Sequence, residues 1–583
     1  MQSQCGDTHL DISEETEKTK RTDALGMNQC PPCILNLLLA VQHVFVQCSL
    51  LVLVLGLLLP HLPSEDGDGE RFLSSMLFYS SLSTLLQSCL GTCLPLVQVS
   101  SLEALIPAVV LASQIVGESA CRGRCEENEG LIQPNINPVR ELQGVTVTTG
   151  LVQLVLGVTG LGGLVLRHCG PLVMAPLLCL LGFSIYREAA LFCSDHWAIA
   201  ALVVILMVGM SQHLRTFLFP ACIRLPQLPI CRMLSVLLPV LSVWAICALL
   251  ESLGYLHLHS VSELLMSVNS SLLAPPLSER KLSSNTVQWL CLPLAVEAGL
   301  PLLSARCMAA GVVVALSSFV SSVGVYMLTA RLLKAPPPPP AACNRGLGAQ
   351  GLGNVVAGLM GAPLGLSSSV PNGCLLGLSQ AGSRRTVQLA AILGLVLGLS
   401  PSLTGLLTSV PLAIYGAVLG VTYAIAVAMG VTYFQFTYID SGRNIFNTGF
   451  AVFTSLVLPR WFGLQRDFID TGITSVDVLL QSLLTSSVLL VGMFSFLLDN
   501  TVPGSLAERG LDSSESGKSE RTRNSERPLV NDEPGSGEWT TGYKQEVAKV
   551  YDSPYFLTRL WNLPGFRTVA FTAFRIPDDG DVL

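Results

Sequence analysis

The chain has 583 residues, half of them apolar and only 13% charged, with a formal net charge of −7 at pH 7. A soluble chain carries charge on roughly a quarter of its residues and would need several separate cores at this length. The composition therefore excludes an ordinary water-soluble enzyme, and the acidic balance makes nucleic acid an unexpected partner.

In chain order, residues 1–33 are polar, mix acids with bases, and hold neither an apolar h-region nor a small-residue cleavage site. They read as a cytoplasmic segment ahead of a permanent first helix rather than as a signal peptide. Apolar runs long enough to cross about 30 Å of hydrocarbon then recur to residue 498. A bilayer offers the backbone no water, so each run must be helical. The clearest are 34–59, 72–90, 144–166, 196–212, 232–254, 304–330, 386–400, 411–431, 443–460 and 476–498. Segments 94–116, 170–186, 347–362 and 366–380 are shorter or rich in Gly, Pro and Ser. Together they predict an all-α polytopic membrane protein with fourteen spans. Residues 34–255 hold the first seven, 256–303 an outside loop, 304–504 the second seven, and 505–583 a cytoplasmic, largely disordered tail.

Charge sets the orientation, because Lys and Arg favour cytoplasmic loops. With the N-terminus inside, Arg215, Arg224, Arg232, Arg331, Lys334, Arg345, Arg384 and Arg385 all fall in cytoplasmic loops. The acidic loop at 60–71 falls outside, as does the sequon Asn269-Ser270-Ser271, which makes Asn269 the expected glycosylation site. The 18 cysteines lie mostly in apolar spans and read as small buried hydrophobes. Cys121 and Cys125 are placed in an outside loop, available for disulfides. Pro336–Pro340 reads as an extended cytoplasmic linker between two halves. In the tail, residues 552–572 regain aromatics suited to a membrane surface. The terminal Asp581-Val582-Leu583 has the form of a peptide that adds to a PDZ-type groove.

Polar residues inside spans are costly and mark paths or partners. Gln42-His43 places a donor–acceptor pair deep in the first helix. Glu103 sits in the third span behind Ser100 and Ser101, with Pro107 close by, which predicts a broken helix. A second interruption, Gly361 to Gly373, carries Ser367-Ser368-Ser369-Val370-Pro371-Asn372. Irregular backbone at membrane depth survives only where it is buried in protein or lines a cavity. Two such segments in corresponding places of two halves point to a transporter's midplane site. The half-helix after Pro371 would aim free N–H groups at a polar solute.

These residues carry a resemblance. Gln42-His43, Leu94-Pro95-Leu96 with Gln98, Arg140-Glu141-Leu142-Gln143-Gly144, His168-Cys169-Gly170-Pro171-Leu172, Ser441-Gly442-Arg443-Asn444, Asp499-Asn500-Thr501-Val502-Pro503-Gly504-Ser505 and Ser368-Ser369-Val370-Pro371-Asn372 are similar to motifs of the nucleobase–ascorbate transporter family, solute carrier family 23. Within it the chain resembles the divergent third vertebrate member of the sodium-dependent vitamin C transporter branch. The resemblance covers roughly 30–505. It implies two inverted seven-helix repeats, with helices 1–4 and 8–11 forming a core domain and 5–7 and 12–14 a gate domain. It also implies short broken helices 3 and 10 around the solute, elevator transport, Na+ as coupling ion, and dimers.

The chain departs from that pattern in places that matter. Cys374 and Ser379 replace a Gly and a Thr of the family signature, and Gln380 stands where a basic residue is common. In the eighth helix, Ser321-Ser322-Val323-Gly324-Val325 lacks both acids expected to bind substrate and hold cations. Glu103, where the family usually has a small apolar residue, becomes the candidate for ion coupling.

The expected function is secondary transport of a small polar solute across the plasma membrane. Moving an anion against the membrane potential costs about 2.3 kcal/mol per 100 mV, so loss of the acids favours a neutral purine base such as hypoxanthine or xanthine over ascorbate. Gln42, His43, Ser100, Ser101, Leu102, Ser321, Ser369, Val370, Pro371 and Asn372 form the expected substrate site. A transport-inactive scaffold is the competing reading. No phosphate loop, metal cluster or nucleophile–base pair supports an enzyme, and no cofactor is expected.

Overall fold

The computed structural model describes residues 27, 29, 31–62, 68–100, 102–126, 138–215, 228–255, 259–261, 299–465, 468–505, 508–510, 547 and 550–551, without side chains at 68 and 116–126. Asn269, Ser101, the aromatic stretch 552–572 and the C-terminal tripeptide lie outside these residues.

The first half opens with α1, Cys33–Leu58, extended by a tight turn at Leu59–His61. It is apolar all round apart from Gln42, His43, Gln47 and a few small polar residues, as a helix buried on most sides must be. Then come α2 (Asp68–Cys89), β1 (Gln98–Ser100), α3 (Leu102–Glu126), α4 (Pro138–Thr159), α5 (Leu161–Arg167), α6 (Pro171–Phe183), α7 (Tyr186–Ser194), α8 (Trp197–Val208, ending in a π-helical turn Gly209–His213), α9 (Ile230–Met233) and α10 (Leu237–Ser252). The second half runs α11 (Ala305–Leu332), α12 (Pro340–Met360), β2 (Leu366–Ser368), α13 (Val370–Ser379), α14 (Arg384–Gly398), α15 (Pro401–Thr408), α16 (Leu412–Tyr433), α17 (Gly442–Leu464), α18 (Thr474–Thr485) and α19 (Ser487–Thr501). The order helix, helix, strand, helix, helix thus occurs once in each half.

Among the described residues, five helices are long and apolar enough to cross a membrane: Cys33–His61, Pro138–Thr159, Pro171–Ser194, Ala305–Leu332 and Leu412–Phe436. Two bent pairs, α14/α15 at 107° and α18/α19 at 75°, raise this to as many as seven. The protein is a polytopic helical membrane protein.

Several expectations change. The span expected at 144–166 lies at Pro138–Thr159 and stops at Gly160, whose φ of 79° favours a residue without a side chain. The third span is interrupted beside the Ser100–Ser101 pair, while Pro107 lies inside α3. The interruption comes earlier, at β1. Pro107 still acts locally, because it has no N–H to give to the carbonyl of Glu103 one turn back. Cys121 and Cys125 are helical residues of α3 rather than loop residues. The proline run is extended only to Pro339, and Pro340 opens α12, where a first-turn N–H is not needed.

Helix backbones approach closely where α4 crosses α12. A Cβ on Gly351 would lie 2.5 Å from the Leu154 nitrogen, and one on Gly150 would lie 2.5 Å from the Val355 nitrogen. Small residues at such a crossing let membrane helices exchange dispersion contacts along their backbones. Two buried ion pairs tie further elements. Arg306 binds Glu141 through two bonds of 2.6 and 2.9 Å, and Arg443 binds Asp499 at 2.9 Å. The two sequence motifs holding Arg443 and Asp499 are therefore partners in space.

The tail is not wholly apart from the bundle. Val547 and Val550 pack on the apolar core, and Tyr551 is fully buried. The Tyr551 hydroxyl donates to the Pro336 carbonyl at 2.7 Å. The Arg345 guanidinium donates to the Tyr551 carbonyl and Arg384 to that of Val550. Met27 and Gln29 meet the same corner, their carbonyls accepting from the Arg384 N–H at 3.1 Å and the Ser383 hydroxyl at 2.8 Å.

Candidate functional site

The two strands pair antiparallel, Gln98 with Ser368, Val99 with Ser367 and Ser100 with Leu366. Each leads into the N-terminus of a helix, α3 or α13. Extended backbone inside an apolar bundle must have its polar groups satisfied, and neighbouring helices supply the partners. Thr84 of α2 accepts from the Gln98 N–H at 2.8 Å. Asn354 of α12 accepts from the Leu366 N–H at 2.6 Å and donates to its carbonyl at 3.0 Å. The same Asn354 amide donates to Gln153 of α4 at 2.8 Å, and Gln153 donates to Ser318 of α11 at 2.7 Å. Gln98 also reaches across the strands to the Ser368 hydroxyl at 3.0 Å. The interruption is thus a rigid feature held from both sides.

Ser369 caps α13. Its hydroxyl accepts from the Asn372 N–H at 3.4 Å, and its own N–H donates to the Val97 carbonyl at 2.8 Å. Ser, Asp, Asn and Thr take this position because their oxygens bond N–H groups left free in the first turn. The Ser369 hydroxyl donates at 2.7 Å to the Asn372 side-chain oxygen. The Asn372 amide donates to the His43 carbonyl at 2.9 Å and lies 3.3 Å from His43 Nδ1. A chain of three side chains therefore locks α13 to α1.

Between the two helix N-termini lies a cavity with about 240 Å3 of space free of protein atoms, its mouth included. Leu102 and Glu103 face it from α3, Ser367, Ser368, Ser369 and Val370 from β2 and α13, Ser321 from α11, and Ser184 and Tyr423 from the ends and middle of α6 and α16. Leu50 and Val99 complete it. Ser321 and Ser367 are buried, and their hydroxyls find no partner among the described residues. Glu103 is 7% exposed and lies within electrostatic reach of Tyr423, and among the described residues no basic side chain lines the cavity. A buried polar atom without a partner costs about 1–3 kcal/mol, which makes the Ser321 and Ser367 hydroxyls candidates for contact with a ligand.

Of the residues expected at the site, Leu102, Glu103, Ser321, Ser369 and Val370 line the cavity. His43 and Asn372 stand one layer behind. Pro371 is the second residue of α13, and Ser100 is a buried strand residue; neither lines the space. Gln42 is turned elsewhere: its amide donates to the Met233 carbonyl at 3.2 Å and its oxygen accepts from the Leu237 N–H at 3.0 Å, seating α10 on α1. Sequence reasoning missed Ser184, Ser367, Tyr423 and the bracing Asn354. The available signal was polarity within an apolar span, which marks Asn354 and Tyr423 as it marks His43.

Two interrupted segments meeting at a polar cavity inside a bundle of apolar helices define a solute carrier. The family model described as "Permease family" matches residues 36–464. Solute carrier family 23 member 3 of Mus musculus is 41% identical over 499 residues, covering 82% of this chain and 78% of its own. Solute carrier family 23 member 1 of the same species is 31% identical over 503 residues, with 82% and 80% covered. Nucleobase-ascorbate transporter 2 of Arabidopsis thaliana is 28% identical over 502 residues, with 84% and 91% covered. Among solved structures, the transmembrane domain of a cyanobacterium bicarbonate transporter, BicA, aligns at 15% identity and a TM-score of 0.37, covering 79% of this chain and 96% of that one. The chain belongs to the Permease family and, within it, to solute carrier family 23, the nucleobase–ascorbate transporters. It is a transporter, not an enzyme.

Proposed function

We propose that the protein carries a neutral purine nucleobase, of the hypoxanthine or xanthine type, across the plasma membrane. The observation that carries this reading is the cavity lining, which among the described residues offers one carboxyl, two unpartnered hydroxyls, a phenol and the N-terminus of α13 and no basic side chain. A flat base with donors and acceptors on its edges matches that set. An ascorbate anion would meet a carboxyl at Glu103 and no countercharge from the described lining residues. The name of the Arabidopsis thaliana relative, Nucleobase-ascorbate transporter 2, fits either solute class.

The mechanism follows from the same proposal. The recurring order of elements supports two inverted repeats, with α1–α4 and α11–α14 as the mobile core and the remaining spans as the gate. The solute rides with the core in elevator fashion. The bracing of both strands by Thr84 and Asn354 keeps the site rigid during that movement. Na+ is the candidate coupling ion, and a homodimer the candidate assembly.

Uptake of radiolabelled hypoxanthine, xanthine and ascorbate by oocytes expressing the chain, with Na+ and with choline in its place, tests the proposal. Saturable nucleobase uptake, inhibited by other bases and poorly by ascorbate, is the expected result. Ascorbate uptake exceeding that of every base would overturn the substrate, and no uptake of any solute by surface-expressed protein would favour the scaffold reading.

A further inference from the structure

Resting on the carrier reading above, we infer that Glu103 sets the charge and donor selectivity of the site: its carboxylate accepts an N–H of the bound solute and turns anions away. Three observations carry this. Glu103 is more than nine-tenths buried and faces the cavity. The hydroxyls of Ser321 and Ser367, unpartnered among the described residues, open onto the same space. Among the described residues no Lys, Arg or His lines it, so none of the usual cationic partners of a buried carboxylate is at hand there.

A carboxylate is an acceptor only, whereas each serine hydroxyl both donates and accepts. The site therefore reads an edge that presents N–H beside a carbonyl or ring nitrogen: the N–H to Glu103, the acceptors to Ser321 and Ser367. A solute lacking the N–H would strand the carboxylate, and sites built on hydrogen bonds reject such analogues more strongly than apolar pockets reject a missing methylene. Glu103 stands in the first turn of α3, where the helix dipole favours negative charge. That placement lets an acidic residue persist there before a solute arrives.

The experiment compares wild type, Glu103→Gln, Glu103→Ala and Glu103→Asp at matched surface expression. Initial uptake of hypoxanthine, of N-methylated hypoxanthines and of ascorbate is measured for each. In wild type, methylation of one ring nitrogen should raise KM at least tenfold. In Glu103→Ala the methylated and parent bases should differ by less than threefold, because the group that read the N–H is gone. Glu103→Gln should raise the ascorbate-to-hypoxanthine uptake ratio by tenfold or more, and Glu103→Asp should keep the wild-type preference for hypoxanthine over ascorbate. Unchanged ratios and an unchanged methylation penalty in the alanine and glutamine variants would overturn the inference. So would loss of Na+ or pH dependence with solute selectivity intact, since that result assigns Glu103 to ion coupling alone. If wild type moves no base, the carrier proposal itself fails, and the selectivity is read from binding: neutral bases should stabilise purified wild type against heat and the glutamine variant less.

Discussion

Asn354 takes both backbone groups of Leu366 and the side chain of Gln153, yet it never touches the cavity. Its removal strands a buried N–H and a buried carbonyl at the base of β2, each costing about 1–3 kcal/mol. Asn354→Ala should lower the melting temperature of purified protein and abolish uptake at normal surface expression, because the strand it aligns presents Ser367 and Ser368 to the solute. A variant with wild-type melting and uptake would show that the strand holds itself. Arg443 poses a parallel case. Asp499 is fully buried, and Arg443→Met leaves it with only the longer 3.4 Å contact to Arg509. Breaking a buried pair from one side typically costs about 3–5 kcal/mol. The double variant Arg443→Met with Asp499→Leu should recover much of the loss in a thermal-shift assay. At this scale the sequence was informative about which residues matter and poor about what they do. Gln42 stands beside His43 in the chain, but a helix turns about 100° per residue, so neighbours point to different partners. One seats α10 and the other meets α13.

Among the elements, the crossing of α4 and α12 depends on glycines more than on any apolar side chain. Gly351→Leu would drive its Cβ to 2.5 Å from the Leu154 nitrogen, backbone that cannot swing aside. The helices would have to part, and we expect retention inside the cell, read as lost surface biotinylation. Gly420→Ala is the control, since a Cβ there meets nothing within 4 Å and should be tolerated. The strongest apolar runs were legible because hydropathy is a local property: α1, α11 and α16 lie close to the residues expected for them. The ends of interrupted elements were not. Pro107 reads as part of the break, yet a helix can absorb a proline within its first two turns, and the interruption beside Ser100 is set by pairing with β2 some 270 positions onward in the chain. Likewise the run at 476–498 reads as one span, but Ser486 and the 75° bend divide it into α18 and α19.

For the whole molecule, the decisive contacts join one half of the chain to the other. β1 pairs with β2, α4 crosses α12, and α1 grips α13 through His43 and Asn372. No local periodicity records such pairings, which is why two interruptions were visible in sequence and their meeting at one cavity was only an expectation. The tail shows the same limit. Its Ser- and Glu-rich composition gave no hint that Tyr551 would be buried against Pro336 and Arg345.

That contact has a consequence in solution terms. Tyr551 is joined to the end of α19 by some fifty residues, so its seating is a ligand binding a receptor on the same molecule. A covalent connection raises the effective concentration of the segment at its site above that of the same peptide free in solution. A free peptide of residues 545–556 should therefore leave the full-length chain unlabelled at micromolar concentration, yet bind a chain truncated after residue 540, as fluorescence anisotropy would show. Even a weak intrinsic affinity keeps the site filled while the chain is whole, and a single cut in the intervening residues would dilute the occupant to nothing.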